Sequence, residues 1–178
     1  MTRRVLSEEA ESAIGDIRLI VVEYQRAQEL VRDNPPGRIP GHGHTPAQRA
    51  AQLALANVVS CAELFSAEQL RAMPGAVEDN VSSWPKQQQA WRKLGPVDLE
   101  TLPSYPAVRG FNEVRNAVLH GRGRLTARQV EGAQNKQVQK WLKCAGARVV
   151  RGEVRVGEPD IVRCAHACCD FIRHLDAR

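Results

Sequence analysis

Aromatic side chains make up only 4% of the 178 residues. A core must therefore be built from Ala, Val, Leu and Ile, and a base-stacking platform of the single-strand-binding kind is argued against. No run approaches the roughly 18 consecutive apolar residues that span a bilayer, so no membrane partner is expected. The opening residues lead straight into Glu8, Glu9 and Glu11 without the apolar stretch of a secretory signal. A cytoplasmic location is the expectation. The five cysteines, Cys61, Cys144, Cys164, Cys168 and Cys169, are an odd number that suits free thiols better than a disulfide framework. The phosphate-cradling G-x4-G-K-[ST] loop and the G-x-S-x-G elbow are both missing, which removes the ordinary NTPase and serine-hydrolase classes.

What is present is 43% hydrophobic residues, enough for a real core, in a length that suits one domain over 1–178. Lys and Arg total 25 against 20 Asp and Glu, a net charge of +5 that suits a polyanionic partner. Apolar spacing predicts a first helix over 6–33, with Ser7 as N-cap and acids in its first turn. The Pro- and Gly-rich segment 35–44 reads as a loop, and Thr45-Pro46 opens a second helix. Ser66 with Gln69 resembles a capping box that starts a separate short helix. Further helices are predicted from Trp84 through Leu94, from Ser104 to His120, from Thr126 to about Ala145, and over 160–175. Residues 147–156 alternate and read as a hairpin with Gly152-Glu153 at its turn. The fold expected is all-α, a bundle of five or six helices with one small β-hairpin.

The segment 111–123 carries the chemistry. Asn116 and His120 stand four apart and share a helix face, with Arg115 one position off it, while Val114, Val118 and Ala117 point to the core. An always-charged phosphate ligand thus sits near an imidazole that titrates close to neutral pH, with Gly121 and Gly123 leaving room for a substrate. Geometry leaves an alternative open: Arg115 and His120 as ordinary helix-surface residues, with His120 capping the last carbonyls. Glu113 is the nearest acid along the chain, so the carboxylate cluster of a two-metal nuclease is not expected.

Arg115-Asn116-Ala117-Val118-Leu119-His120 resembles the R-x4-6-H signature of the HEPN superfamily, whose typical form has a polar residue directly after the arginine. The motif also ends a helix and is followed by glycines, as in that family. The resemblance implies a metal-independent endoribonuclease, without cofactor, that dimerises to bring two motifs together. Arg115 would bind the scissile phosphate, His120 would transfer protons, and Asn116 would orient His120 or touch RNA. The products implied are a 2′,3′-cyclic phosphate and a 5′-hydroxyl, in a toxin, stress-response or antiviral setting, with an antitoxin or regulatory protein as a further partner. The alternative within the same resemblance is a non-catalytic module that binds RNA, a nucleotide or a protein. One family group carries a modifiable tyrosine two residues after the histidine; here Arg122 stands there, so that control is put in doubt.

Arg109, Arg122, Arg124 and Arg128, continued by Lys136, Lys140 and Lys143, read as a basic track for RNA phosphates around the motif. A solvated basic face is the competing reading. Cys164, His166, Cys168 and Cys169 lack zinc spacing and read as an apolar helix stripe. His42 and His44 form at most a weak ligand pair. Trp84 and Trp91, seven apart, are expected to pack in the core or an interface.

Overall fold

Seven α-helices and one two-stranded hairpin make up the computed structural model, which describes residues 5–33, 45–95 and 97–176. The Pro- and Gly-rich segment with His42 and His44 lies outside the described residues. The all-α architecture with a small hairpin is as the sequence predicts. The helices are α1 (Glu8–Asp33), α2 (Pro46–Arg71), α3 (Trp84–Leu94), α4 (Tyr105–Gly121), α5 (Ala127–Glu131), α6 (Asn135–Cys144) and α7 (Glu158–Asp176); the strands are β1 (Arg148–Val150) and β2 (Glu153–Arg155).

The central helix is α2, which packs against α1, α4 and α7. Its N-terminus forms as Thr45-Pro46 predicts: the Thr45 hydroxyl accepts from the Gln48 N–H at 3.2 Å. It then runs unbroken past Ser66, which corrects the expected separate helix. Ser66 caps nothing. It is fully buried, and its Oγ accepts the Trp91 indole N–H at 3.0 Å, so the hydroxyl serves a partner on α3. Length and apolarity alone would let α2 cross a membrane, but Leu55, Val58, Val59, Ala62 and Leu70 on it are all buried as core.

The few aromatics are concentrated. Trp84, Tyr105 and Phe171 meet with ring centroids 5.7 to 6.3 Å apart and tie α3, α4 and α7 together. Burial pushes the Tyr105 hydroxyl up to about 12. The α7 stripe Ile161, Ala165, Cys168, Ile172 and Leu175 is buried as its spacing predicts. At the other end of α1, the Ser7 side chain accepts from the Ala10 N–H and donates to Asp176 of α7, so the N-cap also joins the two helix ends.

Two boundaries differ from the sequence reading. The capping box at Thr126 and Gln129 forms, yet the helix it starts ends at Glu131. Gly132 is extended, with ψ 156°, so the expected helix over 126–145 is two, α5 and α6. The hairpin turns at Arg151-Gly152, one residue earlier than expected, with φ of 52° and 76° at the two positions. Positive φ at both central residues is the turn that matches strand twist. Its register sets Arg148 opposite Arg155.

Candidate functional site

Helix α4 carries the motif, and its C-terminus is built by the chain that follows. Arg122 adopts the left-handed conformation at φ 53° and Gly123 follows at φ 89°. The Gly123 N–H reaches back to the Ala117 carbonyl at 2.9 Å, closing the last turn. Arg122 occupies the αL position itself. The corner is then fastened to the hairpin. Val154 donates its N–H to the Gly123 carbonyl and Leu125 donates to the Gly152 carbonyl, both at 2.8 Å. His120 therefore sits, exposed, two residues before a corner that backbone hydrogen bonds hold on both sides.

Val114, Ala117 and Val118 face the core as predicted, each 1% exposed or less. Arg115 points to α2. Its Nη2 lies 3.5 Å from Glu63 Oε2, and the two side chains are 23% and 21% exposed. Burial raises the Glu63 carboxyl above its ordinary value, while the guanidiniums of Arg115 and Arg109 oppose that rise. The sequence names Glu113 as the acid nearest the motif; in space the carboxylate that meets Arg115 is Glu63. Glu63 was missed by sequence reasoning. Its one signal is that it is the sole charged residue between Ala50 and Ala67, an apolar stretch of α2.

Arg115 and His120 are five residues apart, which separates them by roughly 7.5 Å along the axis and about 140° around it. No hydrogen bond joins any two of Arg115, Asn116 and His120 among the described residues, and Asn116 is half-buried. The fold brings Arg115 to Glu63 and leaves His120 facing solvent.

Arg109 is displaced from the expected basic track. It is 5% exposed, 4.4 Å from the Trp141 ring and 3.8 Å from Glu113. Glu113 in turn accepts from the Gln129 amide at 2.8 Å, through both its carboxylate and its main-chain carbonyl. The physical reason is coverage: α5 and α6 lie over this stretch of α4, and the guanidinium stacks under Trp141 in place of reaching solvent. Arg122, Arg124 and Arg128 are exposed, as are Lys136, Lys140 and Lys143 on α6. Arg124 is tied to the hairpin, 3.2 Å from Glu153.

The five thiols are free, and burial is the main cause that raises those of Cys61, Cys164 and Cys169. Cys164 and Cys168 are buried while His166 is exposed. Among the described residues no group of three or more His, Cys, Asp or Glu could hold a metal ion.

Comparison of the chain with protein-family models, with curated proteins and with solved structures finds no match.

Proposed function

We propose that the chain is a metal-independent endoribonuclease of the cytoplasm that works as a homodimer, in toxin activity, stress response or antiviral defence. The observation that carries this reading is the partly buried Arg115–Glu63 pair, with an exposed His120 five residues further along the same helix. A guanidinium held by a carboxylate on a neighbouring helix is already oriented, which lowers the cost of receiving a phosphate. In the reaction, the RNA 2′-oxygen attacks phosphorus and the bond to the 5′-oxygen breaks. Arg115 stabilises charge on the non-bridging oxygens. His120 takes the 2′-hydroxyl proton or protonates the leaving oxygen, and Asn116 orients it or contacts RNA. One imidazole cannot do both transfers at once, so a second copy of the motif supplies the other. Arg122, Arg124 and Arg128 hold flanking phosphates by charge.

The test compares RNA cleavage by the parent chain, Arg115→Ala and His120→Ala. His120→Ala should slow cutting by roughly 10²–10⁴-fold and leave RNA affinity nearly unchanged. Arg115→Ala should weaken both, since its charge acts on bound and reacting phosphate alike. The second reading, a non-catalytic HEPN-like module for RNA, nucleotide or protein, is favoured by Glu63, which already neutralises Arg115. A His120→Ala chain that cuts as fast as the parent overturns the enzyme and supports that module.

A further inference from the structure

Away from α4, the second half of α1, the first turns of α2 and strand β2 enclose an open pocket of about 400 Å³. Its polar lining comes from Tyr24, Gln48, Arg148 and Arg155, its apolar lining from Ala47, Ala51 and Val156. The two arginines are directly opposed in the hairpin register. Like charges placed so destabilise a strand pair unless something offsets them. The carboxylates that do so stand outside the lining. Arg155 Nη2 is 2.6 Å from Glu153, and Arg148 Nη2 is 3.8 Å from Asp160, itself only 4% exposed and accepting the Gly157 N–H at 2.8 Å. Arg155 Nη1 also donates to the Gln48 amide oxygen at 3.2 Å. Arg155 is thus held from outside, Arg148 makes a looser ion pair with an Asp160 that Arg163 also meets, and the pocket lining itself holds no carboxylate.

The second observation is Tyr24. It is 8% exposed, yet its hydroxyl makes no hydrogen bond to any described residue. Tyr24 lines the pocket, and its hydroxyl can donate to a ligand acceptor there. Burial, with a smaller contribution from Glu158, raises this hydroxyl above its ordinary value and keeps it a donor at neutral pH. The Glu158 carboxylate is itself engaged by the Gln25 amide at 2.9 Å.

We propose that this pocket binds a phosphomonoester, its phosphate held by Arg148, Arg155 and the Tyr24 hydroxyl and its organic part resting on Ala47, Ala51 and Val156. Two guanidinium forks and a hydroxyl offer more donors than one carboxylate can accept, and they match a doubly charged group with three terminal oxygens. The volume lies in the range of small-molecule sites and exceeds what inorganic phosphate alone would fill. None of these residues belongs to α4, so the assignment stands or falls independently of RNA cleavage.

The test is isothermal titration of the full chain with phenyl phosphate and with inorganic phosphate at fixed ionic strength. Phenyl phosphate should bind saturably at one site per chain and more tightly than inorganic phosphate. Arg148→Gln and Arg155→Gln should each weaken it about tenfold or more, and Tyr24→Phe a few-fold. Lys93→Gln, an exposed cation on α3, should change nothing. Thermal unfolding confirms that each variant is folded; should Arg155→Gln fail, Arg148→Gln and Tyr24→Phe decide, since one is exposed and the other keeps its ring. Non-saturable binding, or a Lys93→Gln loss equal to that of Arg148→Gln, overturns the site in favour of diffuse surface charge. Equal affinity for the two ligands overturns the ester and leaves an inorganic anion site.

Discussion

Arg109 and Arg115 stand six residues apart on α4 and meet opposite surroundings. Arg109 lies under Trp141, 5% exposed, beside Glu113 and in the cover that α5 and α6 lay over the first half of the helix. Arg115 turns to α2, is nearly a quarter exposed, and has for counter-ion a residue from that different helix, Glu63. The same side-chain chemistry therefore does two jobs. The first guanidinium is part of the packing between α4 and α6; the second is charged, braced and reachable. Burial and the source of the counter-ion distinguish them, not position relative to the motif.

The contrast is broken most strongly by Arg109→Ala. Removing one partner of a buried pair leaves Glu113 without its nearby cation and Trp141 without its cation, and stability should fall by about 3 kcal/mol. Urea unfolding reads that loss, while RNA cleavage per folded molecule should match the parent. If activity instead falls as it does in Arg115→Ala and stability holds, the division of the helix is wrong. Gly110→Ala addresses the same seam. A methyl there would collide with the Trp141 carbonyl and crowd Ala145, so α4 and α6 must move apart at a cost of about 2 kcal/mol, again without loss of specific activity. A stability equal to the parent's would show that this contact is loose.

Glu63→Gln sharpens the other half. The raised Glu63 carboxyl shows that desolvation outweighs its pairing with Arg115. The isosteric amide should therefore leave stability at neutral pH within about 1 kcal/mol of the parent. Cleavage should fall about tenfold because the guanidinium loses its brace. Stability unchanged together with undiminished cleavage would remove Glu63 from the site. The smallest effect is a pH slope. A carboxyl whose folded value lies above the ordinary 4.5 binds its proton more tightly in the folded chain than in the unfolded one. Its contribution is thus present at low pH and is lost as pH rises from 4.5 through the raised value. Glu63→Gln should flatten that part of the stability profile, measured by urea titrations across it; an unchanged slope would assign it to other groups.

Much of the fold was legible because local signals were strong. Thr45-Pro46, the Trp84-Pro85 start, the α7 stripe and the hairpin alternation each rest on spacing or cap chemistry within a few residues. The errors share a cause. Ser66 has the form of an N-cap, but a hydroxyl that can serve Trp91 from another helix need not cap its own. The helix over 126–145 carries no proline to mark its break, and only Gly132 hints at it. For the site, the motif was legible in Arg115, Asn116 and His120, whereas Glu63 stands 52 residues before Arg115 and joins it only through the packing of α2 on α4. The burial of Arg109 was equally hidden, since it depends on Trp141, which α6 brings back across the helix.

The most direct test of the central claim is the chemistry of the cut ends. Purified chain is incubated with RNA in excess chelator, and the termini of the fragments are identified. Attack by the 2′-oxygen assisted by Arg115 and His120 predicts cleavage that persists without metal and leaves a 2′,3′-cyclic phosphate and a 5′-hydroxyl. Cleavage that stops in chelator and returns with magnesium, leaving a 5′-phosphate, would contradict it.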